Sequence, residues 1–298
     1  MPISSNLYIG PAGWSYPDWK GIVYPAKRSS KFSELHYLAD YFNTVEINST
    51  FYKIPSLNSV ESWLQQVQDR PHFMFSVKSW QRFTHTTLPL NESELDTFSQ
   101  VLTPMQTEKK LGVLLLQFPW RFKRHKETVQ RLHQLLRRFK AFPCAVEFRH
   151  ASWQHEEIYR LLRDHHTTFV NIDQPVIGES VEPSAIHTAS TSYVRFHGRN
   201  YDNWFREDAG QEARYDYLYS PAELESWLVK VENLRQTSES VYVIFNNHFR
   251  GQAVINAFQF LYLITKQKSL APPTLLNMAP QLANYVDPDD YGQTMELF

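Results

Sequence analysis

The segment Thr44-Val45-Glu46-Ile47-Asn48 alternates apolar and polar side chains. In an extended strand residues two apart share a face, so Val45 and Ile47 look one way while Glu46 and Asn48 look the other. Seven further short apolar or β-branched runs surround it: Leu7 to Gly10, His72 to Lys78, Leu111 to Phe118, Cys144 to Arg149, Thr168 to Asp173, Ser192 to Gly198 and Val241 to Asn247. Each has the length of a strand. Between most of them lie stretches with apolar residues three or four apart, such as Phe32, Leu35, Leu38, Ala39 and Phe42, or Val129, Leu132, Leu136 and Phe139, which predict amphipathic helices. Ser220-Pro221-Ala222-Glu223 offers a capping box with proline at the first helical position. Strand followed by helix, eight times, predicts an α/β fold of the (β/α)8 TIM-barrel class. The pattern breaks between strands six and seven, where Gln174 to Thr191 holds two prolines and no helical stripe, so that connection is expected to be irregular.

Composition narrows the field. The 298 residues carry 30 Lys and Arg against 31 Asp and Glu, a formal net charge of -1, which excludes a generally basic nucleic-acid coat and an acidic tail. The 9 glycines form no GxGxxG or GxxxxGK cradle, which argues against the doubly wound nucleotide-binding sheet as the alternative reading. A single cysteine, Cys144, excludes an intrachain disulfide and a CxxC zinc site, and reads as a small buried residue. Met1 to Gly10 lacks a basic region followed by an apolar run, and no stretch is long enough to span a membrane. The expectation is a cytoplasmic protein with no membrane partner. Residues 1–298 read as one barrel domain, with 271–298 a C-terminal tail packing on it.

If the apolar face of each strand lies under the helices, the other face fills the barrel with Glu46, Asn48, Ser76, Lys78, Gln117, Glu147, Arg149, Asn171, Asp173, Arg195, His197 and Asn246. Most sit at the C-terminal ends of their strands, where barrel enzymes place their chemistry. Trp14, Trp19, Trp80, Trp120, Trp153 and Trp204 follow just behind predicted strands and offer stacking walls for a sugar ring or a base.

Several segments together resemble the YecE-like family (domain of unknown function seventy-two). They are Gly10-Pro-Ala-Gly13-Trp14-Ser15-Tyr16 with Trp19; Val45-Glu46-Ile47-Asn48-Ser49-Thr50-Phe51-Tyr52; Lys78 with Thr84-His85; Gln117-Phe118-Pro119; Glu147-Phe148-Arg149-His150 with Ser152-Trp153; Arg195-Phe196-His197-Gly198-Arg199; and Phe245-Asn246-Asn247-His248 with Gly251. The resemblance implies a TIM barrel distantly related to sugar isomerases, with a site at the strand ends. It names no reaction.

The candidate chemistry is proton transfer beside the carbonyl of a sugar or sugar phosphate. Glu46 and Glu147 serve as candidate acid and base and His197 as a further catalytic group, while Lys78 polarises the carbonyl or forms a Schiff base. Arg149, Arg195 and Arg199 are candidates for orienting an anion. Trp14, Tyr16, Asn48, Tyr52, His85, Gln117, Trp153, Asp173, Asn246 and His248 complete the expected substrate contacts. The expected partner is thus a polyhydroxylated or anionic small molecule, with no cofactor. Two alternatives stand beside this reading. One is a divalent-metal hydrolase or isomerase using Glu46, Glu147, Asp173, His197 and His248, which nearby Lys and Arg residues disfavour. The other is a nucleotide or single-stranded nucleic-acid binding module, supported weakly by the basic run Arg121 to Lys126 and not favoured.

Overall fold

The computed structural model describes residues 6–204, 206 and 213–289. Eight parallel strands, β1 Leu7–Pro11, β2 Thr44–Ile47, β3 Met74–Lys78, β4 Leu111–Gln117, β5 Cys144–Glu147, β6 Thr168–Asp173, β7 Thr191–Phe196 and β8 Ser240–Phe245, pair in the order β1-β8-β7-β6-β5-β4-β3-β2. The barrel closes between β1 and β2 by a single parallel bridge, Ala12 to Glu46, with the Gly13 amide donating to the Glu46 carbonyl at 2.8 Å. Below that bridge the Asn43 side chain replaces the ladder: it accepts from the Ile9 amide at 3.0 Å and donates to the Leu7 carbonyl at 2.7 Å. Gly10 is required at this seam, because a Cβ there would lie 1.9 Å from the Thr44 carbonyl oxygen.

The outer layer follows the apolar stripes. Helices α1 Glu34–Ala39, α2 Leu57–Gln66, α3 Gln81–Thr84, α4 Glu92–Thr107, α5 Lys126–Arg138, α6 Glu156–Asp164, α7 Pro221–Thr237 and α8 Gln252–Thr265 follow the strands, with both α3 and α4 between β3 and β4. The capping box at Ser220 forms, with Ser220 accepting from the Glu223 amide and Pro221 in the first turn. No helix follows β6: the connection 174–190 runs irregularly to β7, as its prolines predict. Val45, Ile47, Phe75, Val77, Leu114, Leu116, Val146 and Phe148 belong to one buried apolar cluster, and Leu7, Ile9, Val194, Phe196, Val243 and Phe245 to a second. Beyond α8, Ala271, Leu275, Leu282 and Val286 are buried in that second cluster. Residues 290–298 of the predicted tail lie outside the described residues. No helix among the described residues is long and apolar enough to cross a membrane.

Strand β6 departs from the predicted parity. Its register sets Ile172 beside Arg195, and Asn171 and Asp173 beside Val194 and Phe196. Neighbours in a parallel sheet point to the same side, so Val170 and Ile172 face the barrel interior while Asn171 and Asp173 face outward. The polar pair is satisfied there. Asn171 accepts from the Ile186 amide at 2.7 Å and donates to the Ile186 carbonyl at 3.0 Å, binding the irregular connection to the strand. Asp173 accepts from Trp227 Nε1 of α7 at 2.7 Å, Tyr219 at 2.7 Å and Arg199 at 2.6 and 2.8 Å.

Candidate functional site

Inside the barrel the side chains form layers. Nearest the N-terminal end, Tyr8, Tyr242 and Tyr193 stack, with ring centroids 4.5 and 5.9 Å apart. Above them lies an ion layer. Arg195 donates to Glu46 at 2.5 Å through Nη2 and to Glu147 at 2.6 Å through Nη1, and Tyr193 donates to Glu46 at 2.8 Å. Arg149 Nε lies 2.7 Å from Glu147 and His197 Nε2 lies 3.3 Å from it. Glu46, Glu147 and His197 are 0% exposed and Arg195 is 1% exposed. Burial alone would push Glu147 up, but Arg149 and Arg195 hold it well below the ordinary carboxylate range, so it stays ionised. Burial and then Arg149 lower His197 to about 3. Its neutral ring takes Arg149 Nη2 at 3.2 Å on Nδ1, and Asn246 Nδ2 lies 3.1 Å from the same nitrogen.

A cleft of about 1470 Å³ opens over this layer at the C-terminal end of the strands. Of the predicted residues, Trp14, Tyr16, Asn48, Tyr52, Lys78, His85, Gln117, Arg149, Asn246 and His248 line it. Lys78 stands on the floor with its ammonium 4.0 Å from the Phe51 ring centroid. Among the described residues no carboxylate comes within 4.0 Å of that nitrogen. Burial and then Arg195 drive its pKa from 10.5 to about 7, against the opposing pull of Glu46 and Glu147. His85 packs edge-on against the same Phe51 ring, 4.8 Å away, with Nδ1 2.9 Å from Thr84 Oγ1. Burial, Lys78 and Arg121 lower it to about 3, which leaves a neutral imidazole on the same ring as the lysine. His248 lies stacked on Tyr16 at 4.3 Å and beside Tyr215 at 5.0 Å, and burial lowers it to about 4.

The remaining predicted positions lie elsewhere. Glu46, Glu147, Arg195 and His197 converge as parity requires, but they form the layer beneath the cleft and do not line its wall. Asp173 and Arg199 pair outside the barrel under α7, because β6 turns its polar face outward. Trp153 is buried outside the barrel too, stacked on Phe148 at 4.3 Å and Phe122 at 5.1 Å, with its Nε1 donating to the Phe122 carbonyl. Of the five predicted metal ligands, Glu46, Glu147 and His197 therefore converge, but around Arg195, and Asp173 and His248 do not join them. Asp173 points away, His248 is enclosed by rings, and Arg195 binds both glutamates. Among the described residues no group of three His, Cys, Asp or Glu is arranged to hold an ion.

Sequence reasoning gave no site role to Phe51, Gln174, Arg214 and Tyr215, and took Arg121 only as part of a basic run, yet all five line the cleft. Phe51, Arg121 and Gln174 follow within a few residues of β2, β4 and β6, so taking each post-strand loop as a candidate would have found them. Trp63 joins the wall from α2, edge-on to Trp14 at 5.7 Å; its place on an apolar stripe gives no such signal. Trp120 and Trp204, read as stacking walls, do reach the cleft, and the Arg149 guanidinium lies 5.6 Å from the Trp204 ring.

The family described as Protein of unknown function DUF72 matches residues 8–280. The UPF0759 protein YunF of Bacillus subtilis is 32% identical over 286 residues, 91% of this chain and 99% of that protein. A DUF72 family protein of Thermotoga maritima superposes with a TM-score of 0.77 at 37% identity, covering 87% of this chain and 99% of the other. A DUF72 family protein of Enterococcus faecalis gives 0.76 at 26% identity, covering 87% and 95%.

Proposed function

Since the chain belongs to the DUF72 family, a membership that by itself prescribes no reaction, we propose from its own residues that the cleft is an enzyme active site. The substrate is a sugar or sugar phosphate, and the reaction is isomerase-like proton transfer beside its carbonyl. The observation that carries this reading is the Lys78 amine, set on the cleft floor with no carboxylate beside it among the described residues, while Arg195 below binds both interior glutamates. An amine that is half neutral near pH 7 is a nucleophile for carbonyl carbon.

The neutral Lys78 amine adds to the carbonyl carbon, and the carbinolamine loses water to leave an iminium. Neutral His85, on the same Phe51 ring, takes the proton from the adjacent carbon. The C–H electron pair forms a carbon–carbon double bond as the iminium nitrogen becomes an enamine. A solvent proton delivered to the opposite face of that carbon, with His85 releasing its own proton to solvent, followed by addition of water, frees the epimer and restores the amine. Arg149, Arg121 and Arg214 supply positive charge for a phosphate or carboxylate, and Asn48, Gln117 and Asn246 meet hydroxyls. Glu46, Glu147 and His197 act as positioning groups: the two glutamates hold Arg195 below the cleft, and Glu147 and His197 hold Arg149 at its wall.

The test is covalent trapping. The protein is incubated with a panel of triose, pentose and hexose phosphates, reduced with sodium borohydride, and its peptides are analysed by mass spectrometry. A reduced adduct on Lys78 is expected, with occupancy rising as pH passes through about 7 and with no adduct in Lys78→Arg. If no sugar phosphate marks Lys78, or if the label spreads over surface lysines and is indifferent to Lys78→Arg, the covalent reading is wrong.

A further inference from the structure

We propose that His133 and His165 form a binding site for one divalent transition-metal ion, held between α5 and α6 on the outside of the barrel. The site lies apart from the cleft and does not rest on the reaction assigned to Lys78. His133 Nδ1 stands 3.0 Å from His165 Nε2. The rings are not stacked: their centroids are 5.1 Å apart and their planes meet at 65°, so nitrogens rather than ring faces confront each other. At a metal–nitrogen length of about 2.0–2.1 Å, two imidazoles on a tetrahedral ion set their nitrogens about 3.3 Å apart, and neighbours in a square plane about 2.9 Å. The observed spacing lies between these values. An ion seated to one side of the line joining the nitrogens therefore needs a tilt of the rings rather than a shift of either helix.

The backbone fixes both ligands. His133 lies inside the 13-residue helix α5, and His165 closes α6, its amide donating to the Leu161 and Leu162 carbonyls at 3.2 Å. His166 behind it has a φ of 50°, the left-handed turn that ends the helix. Ligands carried on helices are placed more precisely than ligands on loops. Both rings are half-buried, so solvent reaches the pair while the surrounding chain limits their rotation. The contact between the two nitrogens requires a free lone pair on one ring, and burial, followed by His133, lowers His165 below the ordinary imidazole range. When an ion binds, the bridging proton moves to the other nitrogen of its own ring, and both imidazoles stay neutral ligands. Arg137 opposes the charge of an ion there and Asp164 favours it. Imidazole suits zinc, copper and nickel, whereas magnesium and calcium prefer oxygen, which sets the class of ion. Two protein ligands leave positions open for water or for a group on another molecule.

Calorimetric titration of untagged protein with Zn2+, Cu2+ and Mg2+, in a non-chelating buffer at about pH 7.5, tests the site. One equivalent of Zn2+ should bind with a micromolar Kd, Cu2+ about tenfold or more tightly, and Mg2+ not at all. His133→Gln and His165→Gln should each weaken Zn2+ binding about tenfold or more, a loss of roughly 1.4 kcal/mol. At a hundredfold excess over Kd, Zn2+ should raise the wild-type melting temperature by about 5 °C or more, because the ion ties α5 to α6. Electron paramagnetic resonance of the Cu2+-loaded wild type supplies a readout that needs no variant: coupling to two imidazole nitrogens is expected. Zn2+ binding unchanged in both variants, a Cu2+ signal from fewer than two imidazoles, or no Zn2+ binding below about 1 mM would each overturn the inference.

Discussion

Arg195 holds its guanidinium between Glu46 and Glu147 at 2.5 and 2.6 Å, wholly inside the barrel. Without that cation buried Glu46 keeps only the Tyr193 hydroxyl while Glu147 keeps Arg149, and breaking a buried pair by removing one partner costs about 3–5 kcal/mol. Arg195→Met should therefore destabilise by about that amount in urea denaturation monitored by tryptophan fluorescence. A double change that also replaces Glu46 by Gln should recover part of the loss, since Glu147 keeps Arg149 and no carboxylate is then stranded. A single variant within roughly 1 kcal/mol of wild type would show that the ion layer is not coupled as described. The same cation bears on the cleft, because after burial it is the largest influence lowering Lys78. Cys144 needs no such account: burial pushes its thiol up to about 12, in keeping with the small buried residue read from the sequence.

At the level of the strands, the seam between β1 and β2 is the place where one atom decides closure. Gly10→Ala puts a methyl 1.9 Å from the Thr44 oxygen, and backbone rather than a flexible side chain must yield. Such overpacking costs about 1–3 kcal/mol, read as a lower urea midpoint with an unchanged slope. A midpoint equal to wild type would mean that β1 stands farther from β2 than described here. The strands also explain what could be read from sequence. In β2, β5 and β7 an apolar face packs under helices, so alternation tells inside from outside and Glu46, Glu147, Arg149, Arg195 and His197 could be placed together. In β6 the alternation is equally clear but its sense is reversed. With no helix following it, the strand turns Asn171 to the irregular connection and Asp173 to Tyr219 and Trp227, while Val170 and Ile172 fill the barrel. Period alone separates two faces; what covers each face is a tertiary fact. Trp153 fails for a related reason, since a position just after a strand does not say whether a ring turns to the cleft or to Phe148.

For the whole molecule, the buried and half-buried titratable groups set a pH profile with one sense below neutrality and another above pH 10. His85, His197 and His248 have folded pKa values of about 3, 3 and 4, below their unfolded value of 6.5. The unfolded chain thus binds more protons than the native one as pH falls below 6.5, and stability falls with it. Lys78, lowered from 10.5 to about 7, acts in the same sense between those two values, so stability gains as pH rises from 7. Glu147, held well below 4.5, adds a further loss in acid. Tyr193, Tyr219 and Tyr24, raised by burial, reverse the slope: above pH 10 the unfolded chain ionises its tyrosines while the native one does not. Maximum stability should therefore lie between about pH 8 and 10. Scanning calorimetry should find the melting temperature at pH 5 at least about 5 °C below that at pH 9, given roughly 2–4 °C per kcal/mol in a chain slightly smaller than this one. Lys78→Met identifies one contributor, because its advantage over wild type should be greatest below pH 7 and should vanish as pH approaches 10.5. A maximum near pH 5, or a Lys78→Met advantage that grows with pH, would contradict the placement of a half-buried, unpaired amine at the floor of the cleft.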